Sequence, residues 1–253
     1  MRIAVLADIH GNLLALEAVI ADLRTHKPDL VVNLGDHVSG PLWAAETADL
    51  LTSLAGWIHI RGNHDRQLIE VPHDKMGPSD RAASERLSPA HMAWLRSLPT
   101  CKIVVEGVLL CHGTPQSDND YLVEDVSTGF ARLADRQEIR SRAGAATGII
   151  LCGHSHLPNF VQLDERTMVA NPGSVGLQAY PDFEHRFPHV IECGSPHARY
   201  LLLDRSAGAW RATFRAIEYD WESAARLADA GARPDWHKAL LTGYALREAE
   251  PVP

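Results

Sequence analysis

Five short apolar runs limit what this chain can become: RIAVLAD (2–8), LVVNLGD (30–36), GWIHIRGN (56–63), GVLLCH (107–112) and GIILCGH (148–154). Each is nearly continuous in hydrophobic residues, the pattern of a strand buried on both faces, not of one with a wet side. Between the first two, NLLALEAVIADLRTH places apolar residues at helical spacing behind Asn12, a good N-cap type, and stops before Pro28. A second helix is expected over 41–55, opening at Pro41, so the first three runs make two βαβ units on a parallel sheet. Farther on, 159–170 and 198–217 alternate around polar or glycine-containing turns and predict hairpins of a second, more antiparallel sheet. Helices are expected in PAHMAWLRSL (89–98), within 113–147, and twice in 220–243 with Pro234 near the start of the second. The Pro- and Gly-rich stretch 171–197 reads as a surface excursion. The expected class is α/β, with two sheets flanked by helices.

The 253 residues are 45% hydrophobic and 22% charged, ample for a buried core. One domain is expected over 1–247, with rim or lid insertions at 66–99, 113–147 and 177–197 and a short tail at 248–253. A formal net charge of −8 argues against a broad basic surface for nucleic acid, so an anionic substrate would need local positive charge. Cys101, Cys111, Cys152 and Cys193 lie far apart without a CxxC pairing, as free thiols in a reducing cytoplasm would. No apolar stretch approaches about 18 residues, and the N-terminal run is too short for a signal-peptide core, so neither membrane span nor export is expected.

Each apolar run ends in, or is followed by, a residue type that binds divalent metals: Asp8 and His10, Asp36, Asn63, His112, then His154 and His156. Strand ends in a largely parallel sheet share one edge, where α/β proteins place ligands, so these seven side chains should converge. DIH and HSH repeat one spacing, and in an extended segment side chains two apart point the same way. Gly35, Gly62 and Gly153 would let the backbone turn sharply beside crowded ions. A single histidine in a strand is usually a packed residue, but five such endings at five strands are hard to produce by chance. Imidazole mixed with carboxylate and amide oxygen suits Mn, Fe, Co, Ni or Zn better than Ca or Mg.

The ordered series DIHGN, GDH, GNHD, CHG and GHSH, followed by NPGSVG at 171–176, resembles the calcineurin-like metallophosphoesterases, in particular their compact bacterial and archaeal members. The resemblance implies a four-layer αββα sandwich with two metal ions at the strand ends, manganese first among the candidates. One ion would take Asp8, His10 and His156, the other Asn63, His112 and His154, with Asp36 bridging. Two ions roughly 3.5–4 Å apart clamp a phosphate oxygen and acidify a bridging water, giving hydrolysis of a phosphodiester, a phosphomonoester or a nucleotide polyphosphate by metal-activated hydroxide. The implied partner is a small phosphorylated or nucleotide substrate.

His64 is the expected catalytic residue, stabilising phosphate charge or protonating the leaving oxygen, with Asp65 either orienting its ring or capping a helix. Asn12 is expected to cap the first helix, Arg61 to make a structural pairing, His37 to support the bridging aspartate, and His59 to be packed. In GTPQSDNDYLVEDV, residues Asp118, Asn119, Asp120 and Tyr121 either select the leaving group or form a solvated turn. The chain departs from the compact pattern where LQAYPDFEHRFPHVIECGSPH follows NPGSVG, a region that bears on substrate selectivity. Two other functions fit the same motifs. One is phosphoprotein phosphatase, whose additional arginine motifs are missing here; the other is a non-catalytic scaffold like the retromer subunit, which lacks the histidine corresponding to His64.

Overall fold

The computed structural model describes residues 1–105, 107–206 and 209–247; the expected tail, 248–253, lies outside them. In chain order the elements are β1 (Arg2–Leu6), α1 (Leu13–His26), β2 (Leu30–Asn33), α2 (Ala44–Ser53), β3 (Ile58–His59), α3 (Asn63–Glu70), α4 (Pro78–Ser84), α5 (Pro89–Ser97), β4 (Cys101–Val105) and β5 (Val108–Cys111). There follow β6 (Glu124–Asp125), β7 (Arg132–Leu133), α6 (Arg136–Ala143), β8 (Gly148–Leu151), β9 (Asn159–Asp164), β10 (Thr167–Asn171), β11 (Ala179–Asp182) and β12 (His189–Glu192). β13 (Ala198–Ser206), β14 (Ala209–Ile217), α7 (Trp221–Ala230) and α8 (Pro234–Thr242) complete the series.

Two mixed five-stranded sheets form the body, ordered β14-β13-β1-β2-β3 and β4-β5-β8-β10-β9. The parallel trio β1-β2-β3 agrees with the two expected βαβ units. The hairpins divide differently from expectation. The 198–217 hairpin joins the first sheet, with β13 antiparallel to β1 in the register Ile3↔Leu203, while 159–170 lies in the second. The runs ending in His112 and His154 also belong to the second sheet, as the parallel pair β5 and β8. The five runs therefore come from two facing sheets instead of one.

Alternation along β1 explains the layering. Ala4 and Leu6 pack under α1 with Leu16, Val19 and Leu23, whereas Ile3, Val5 and Ala7 point into the space between the sheets against Leu110, Ile149 and Leu203. α6 covers the far face of the second sheet through Ile139 and Ala143, so two sheets stand face to face with helices outside. α1 begins as expected, with Asn12 Oδ1 accepting the Ala15 N–H at 3.2 Å, and ends with Lys27 left-handed ahead of Pro28.

The segment 66–99 folds onto the body through α3 and α5, with Leu68 and Leu95 packed against Ala48 of α2. Residues 171–179 are not a surface excursion: they are buried, and a Cβ at Gly176 would sit 1.7 Å from the Ile9 carbonyl oxygen. The exposed residues of the expected excursion are confined to the turn between β11 and β12 and to Gly194. No helix among the described residues is long and apolar enough to cross a membrane.

Candidate metal centre

At one rim of the two sheets, β1, β2, β5 and β8 end together and the chain changes hand. Asp8, His10, Asp36, His154 and His156 all take positive φ, between +51° and +68°. Side-chain residues adopt this left-handed region at a cost, on the order of 1–3 kcal/mol each, and such strain gathers at functional sites. The paired side chains of DIH and HSH therefore converge through alternating left-handed turns, not through the extended backbone expected from their spacing. Interlocking backbone bonds hold the turns: Asp8 N–H to Gly35 O, His10 N–H to Asp36 O and Gly176 N–H to Asp8 O, each 3.0 Å. Of the three glycines at the rim only Gly35 has positive φ, +108°; Gly62 and Gly153 serve close approach, since a Cβ would lie 2.2 Å from Asp36 Oδ1 and 2.9 Å from Asp8 Oδ2 respectively.

Two groups of ligand atoms result: Asp8, His10 and His156, and Asp36, His112 and His154, each with its atoms within 4.8 Å of one another. Asp36 Oδ2 stands 3.3 Å from His112 Nε2 and 3.8 Å from His10 Nε2, between the two groups. Asn63 Oδ1 lies 2.9 Å from His112 Nε2, which brings the seventh expected residue to the same place.

The hydrogen bonds fix the imidazole tautomers. His10, His156 and His112 each turn Nδ1 to a backbone carbonyl, of Ser39 (2.9 Å), Leu177 (2.6 Å) and Leu34 (2.7 Å), so Nδ1 carries a proton and Nε2 faces inward, with a lone pair on His10 and His156. His10 Nε2 and His156 Nε2 then face each other at 3.2 Å, and His112 Nε2 faces two oxygens. The opposed lone pairs of His10 and His156 require positive charge between them. No Lys or Arg among the described residues pairs with Asp8 or Asp36, so the donor set fits a bound divalent cation. His154 spends Nε2 on the Asn119 carbonyl at 3.1 Å, which leaves Nδ1 for an ion.

The electrostatics agree. Burial lowers His10 to about 4 and His154 to about 3, and holds His156 well below its ordinary value, so all three imidazoles are neutral and ready to ligate. Burial pushes the Asp8 carboxyl up. Burial alone would also raise Asp36 and lower His112, but their mutual attraction prevails, holding Asp36 down and lifting His112 to about 10. Positive charge is thus what the cluster favours, whether from a proton on His112 or from a bound divalent cation.

His64 occupies the first turn of α3. Its backbone N–H donates to Asp36 Oδ1 at 2.9 Å, and its ring Nδ1 meets Asp80 Oδ1 at 2.9 Å, leaving Nε2 as the free edge of a side chain 32% exposed. Burial would lower His64, but Asp36 and Asp80 lift it to about 9.

Asp65 does not orient this ring. Its carboxylate accepts the N–H groups of Gly62 (2.9 Å), Asp36 (2.9 Å) and His37 (3.1 Å) and the His37 ring at 2.8 Å, tying the GDH turn to the start of α3. The orienting residue is Asp80, itself held by the Ser39 hydroxyl at 2.6 Å. Its only trace in the sequence is a first-turn acidic position behind Pro78, with nothing to connect it to a histidine 16 residues away.

Among the remaining candidates, Asn12 serves as a cap and donates Nδ2 to Gly176 O and Tyr219 OH, and His59 is half-buried beside His37. The pairing expected of Arg61 is not found among the described residues, and its Nε is buried without a hydrogen-bond partner there. Asp118 is held by Arg66 at 2.7 and 3.0 Å, and Tyr121 stacks on His154 with ring centroids 4.8 Å apart.

The family model described as calcineurin-like phosphoesterase matches residues 1–175. An uncharacterized protein of Methanocaldococcus jannaschii is 25% identical over 252 residues, covering 92% of this chain and 94% of the relative. Two crystal structures share the fold: a metallophosphoesterase from Sphaerobacter thermophilus (TM-score 0.69, 24% identity, 92% of this chain and 95% of the other) and a hypothetical protein from Pyrococcus horikoshii (TM-score 0.73, 20% identity, 97% and 99%).

Proposed function

Because this chain belongs to the calcineurin-like phosphoesterase family, we propose that it hydrolyses a small phosphorylated or nucleotide substrate with two divalent transition-metal ions, manganese first among them. Asp8, His10 and His156 would hold one ion and Asn63, His112 and His154 the other, with Asp36 shared. The single observation that carries this reading is the pair of opposed Nε2 lone pairs at 3.2 Å beside carboxylates that no Lys or Arg among the described residues neutralises. When bound, the ions would supply the positive charge that attracts a phosphate oxygen and acidifies water.

The chain's own residues do the rest. Backbone carbonyls of Ser39, Leu177 and Leu34 fix three imidazoles in the ligating tautomer. Asp80 holds the Nδ1 proton of His64, so Nε2–H points outward to donate to a phosphate oxygen or to the departing alkoxide. Asp65 keeps the Asp36 and His64 turns in register from behind. The substrate range proposed is phosphodiester, phosphomonoester or nucleotide polyphosphate.

The test is turnover of bis-p-nitrophenyl phosphate with Mn²⁺, alongside elemental analysis of bound metal. His64→Ala should lower kcat by about 10²–10⁴ while leaving metal content intact. Absence of bound metal together with absence of Mn²⁺-dependent turnover would refute the proposal.

A further inference from the structure

A cavity of ≈ 600 Å³ opens beside the candidate metal centre, one aromatic ring away from it. The ring is Tyr121, which lines the cavity and stacks on His154. The volume suits a small organic group.

The walls combine two features. Aromatic surface comes from Tyr121, His185 and Phe187, with His185 centred 6.0 Å from Tyr121 and 6.2 Å from Phe187, the last 40% exposed. The charged lining residues are Asp120, Glu124, Asp125, Glu138 and Arg142, of which the Glu124 carboxylate is buried, accepts the Asn159 amide at 2.9 Å and is pushed up to about 7 by burial. Asp125 is paired with Arg132 and Glu138 with Arg142. Arg142 is spent further on the Tyr121 and Glu124 carbonyls, at 3.1 and 2.7 Å. Asp120 is exposed and has no hydrogen-bond or ion-pair partner for its carboxylate among the described residues. Phe187 already engages a cation, since the Arg186 guanidinium lies 5.2 Å from its ring centre, and Arg186 does not line the cavity.

An acidic, aromatic-walled cavity next to a centre built for cations is bipolar. A substrate spanning both would place its phosphate at the metal ligands and a positive group in the cavity, where an unpaired carboxylate and ring faces attract it. A second phosphate would meet the unpaired Asp120 carboxylate there. We propose that this cavity binds the organic arm of the substrate and selects an ammonium-bearing alcohol, such as a choline-type or ethanolamine-type ester, over arms that carry nucleobases or further phosphate. The inference rests on the phosphoesterase reading for the position of the phosphate, but not for binding of the arm itself.

Three esters with one leaving group isolate the arm: p-nitrophenyl phosphorylcholine, bis-p-nitrophenyl phosphate and thymidine 5′-(p-nitrophenyl phosphate), each assayed with Mn²⁺. The choline ester should show the highest kcat/KM, and its ratio to bis-p-nitrophenyl phosphate should fall at least tenfold in Asp120→Asn and also fall in Phe187→Ala. Calorimetric binding of choline needs no turnover, and its Kd should weaken at least tenfold in Asp120→Asn. Choline binding lost with Asp120, in a protein that turns over none of the esters, would support the cavity assignment while refuting the hydrolase reading. Turnover of the esters without a choline preference, or choline binding unaffected by Asp120→Asn, would overturn the cavity assignment and leave the hydrolase reading standing.

Discussion

His156→Ala should destabilise the protein far more with metal present than without it. In the folded chain His156 Nε2 faces His10 Nε2 at 3.2 Å, while its Nδ1–H bonds the Leu177 carbonyl at 2.6 Å. Truncation removes two things. The Leu177 bond and the packing of the ring are lost whether or not metal is bound, so their cost appears in both conditions and cancels in the difference. The ligand to the ion is lost only when the ion is there. At free Mn²⁺ about 100-fold above Kd, one bound ion stabilises the native state by about 2.7 kcal/mol. For a chain of this size, 1 kcal/mol corresponds to about 2–4 °C in Tm, so His156→Ala should lower Tm by roughly 5–11 °C more in Mn²⁺ than in EDTA. In EDTA the variant also relieves the opposed lone pairs, which widens the gap. His10→Ala should behave alike. Differential scanning calorimetry of the wild type and both variants, with and without EDTA, measures the effect. Equal Tm losses in the two conditions would mean that no ion sits between these rings.

Three further outcomes follow from specific contacts. Asp80→Asn should lower kcat for bis-p-nitrophenyl phosphate at least tenfold with little change in metal content, because the amide keeps the shape and an acceptor oxygen but removes the negative charge that holds the His64 ring proton; steady-state kinetics beside elemental analysis check this. Burial raises the Asp22 carboxyl, but hydrogen bonds from Arg215 and Tyr200 outweigh it and hold the group below its ordinary value. That contribution is full above the unfolded value of about 3.9 and is lost as pH falls through the lower folded one, so Asp22→Asn should cost about 1–2 kcal/mol in urea unfolding at pH 7 and progressively less toward pH 2. Cys111→Ser should keep most metal-dependent turnover, since burial raises that thiol well above its ordinary value and leaves no thiolate to act as nucleophile; loss of turnover with metal still bound would contradict this.

The strands and the ligand series could be read directly because each signal is local. A near-continuous apolar run such as 148–154 must be buried, and a polar residue ending it must stand at a rim. Asn12 ahead of an amphipathic stretch announces its own cap. Hairpin membership could not be read the same way: ARYLLLD pairs with β1, about 200 residues earlier, and nothing within 198–217 distinguishes that partner from the second sheet. Gly176 looks like an ordinary loop glycine until the Ile9 carbonyl is found against it.

The linear order of residues was enough to establish the α/β class, the approximate bounds of most elements and which seven side chains gather at the strand ends, since these depend on periodicity and nearest-neighbour chemistry. Only the folded arrangement decided the left-handed backbone that aims Asp8, His10 and His156 together, the role of Asp65 as a tie between two turns, and the choice of Asp80 as partner to His64. Hydrogen-bond partners are selected by distance in space. A carboxylate 16 residues from its histidine acquires that role only when α3 and α4 have packed.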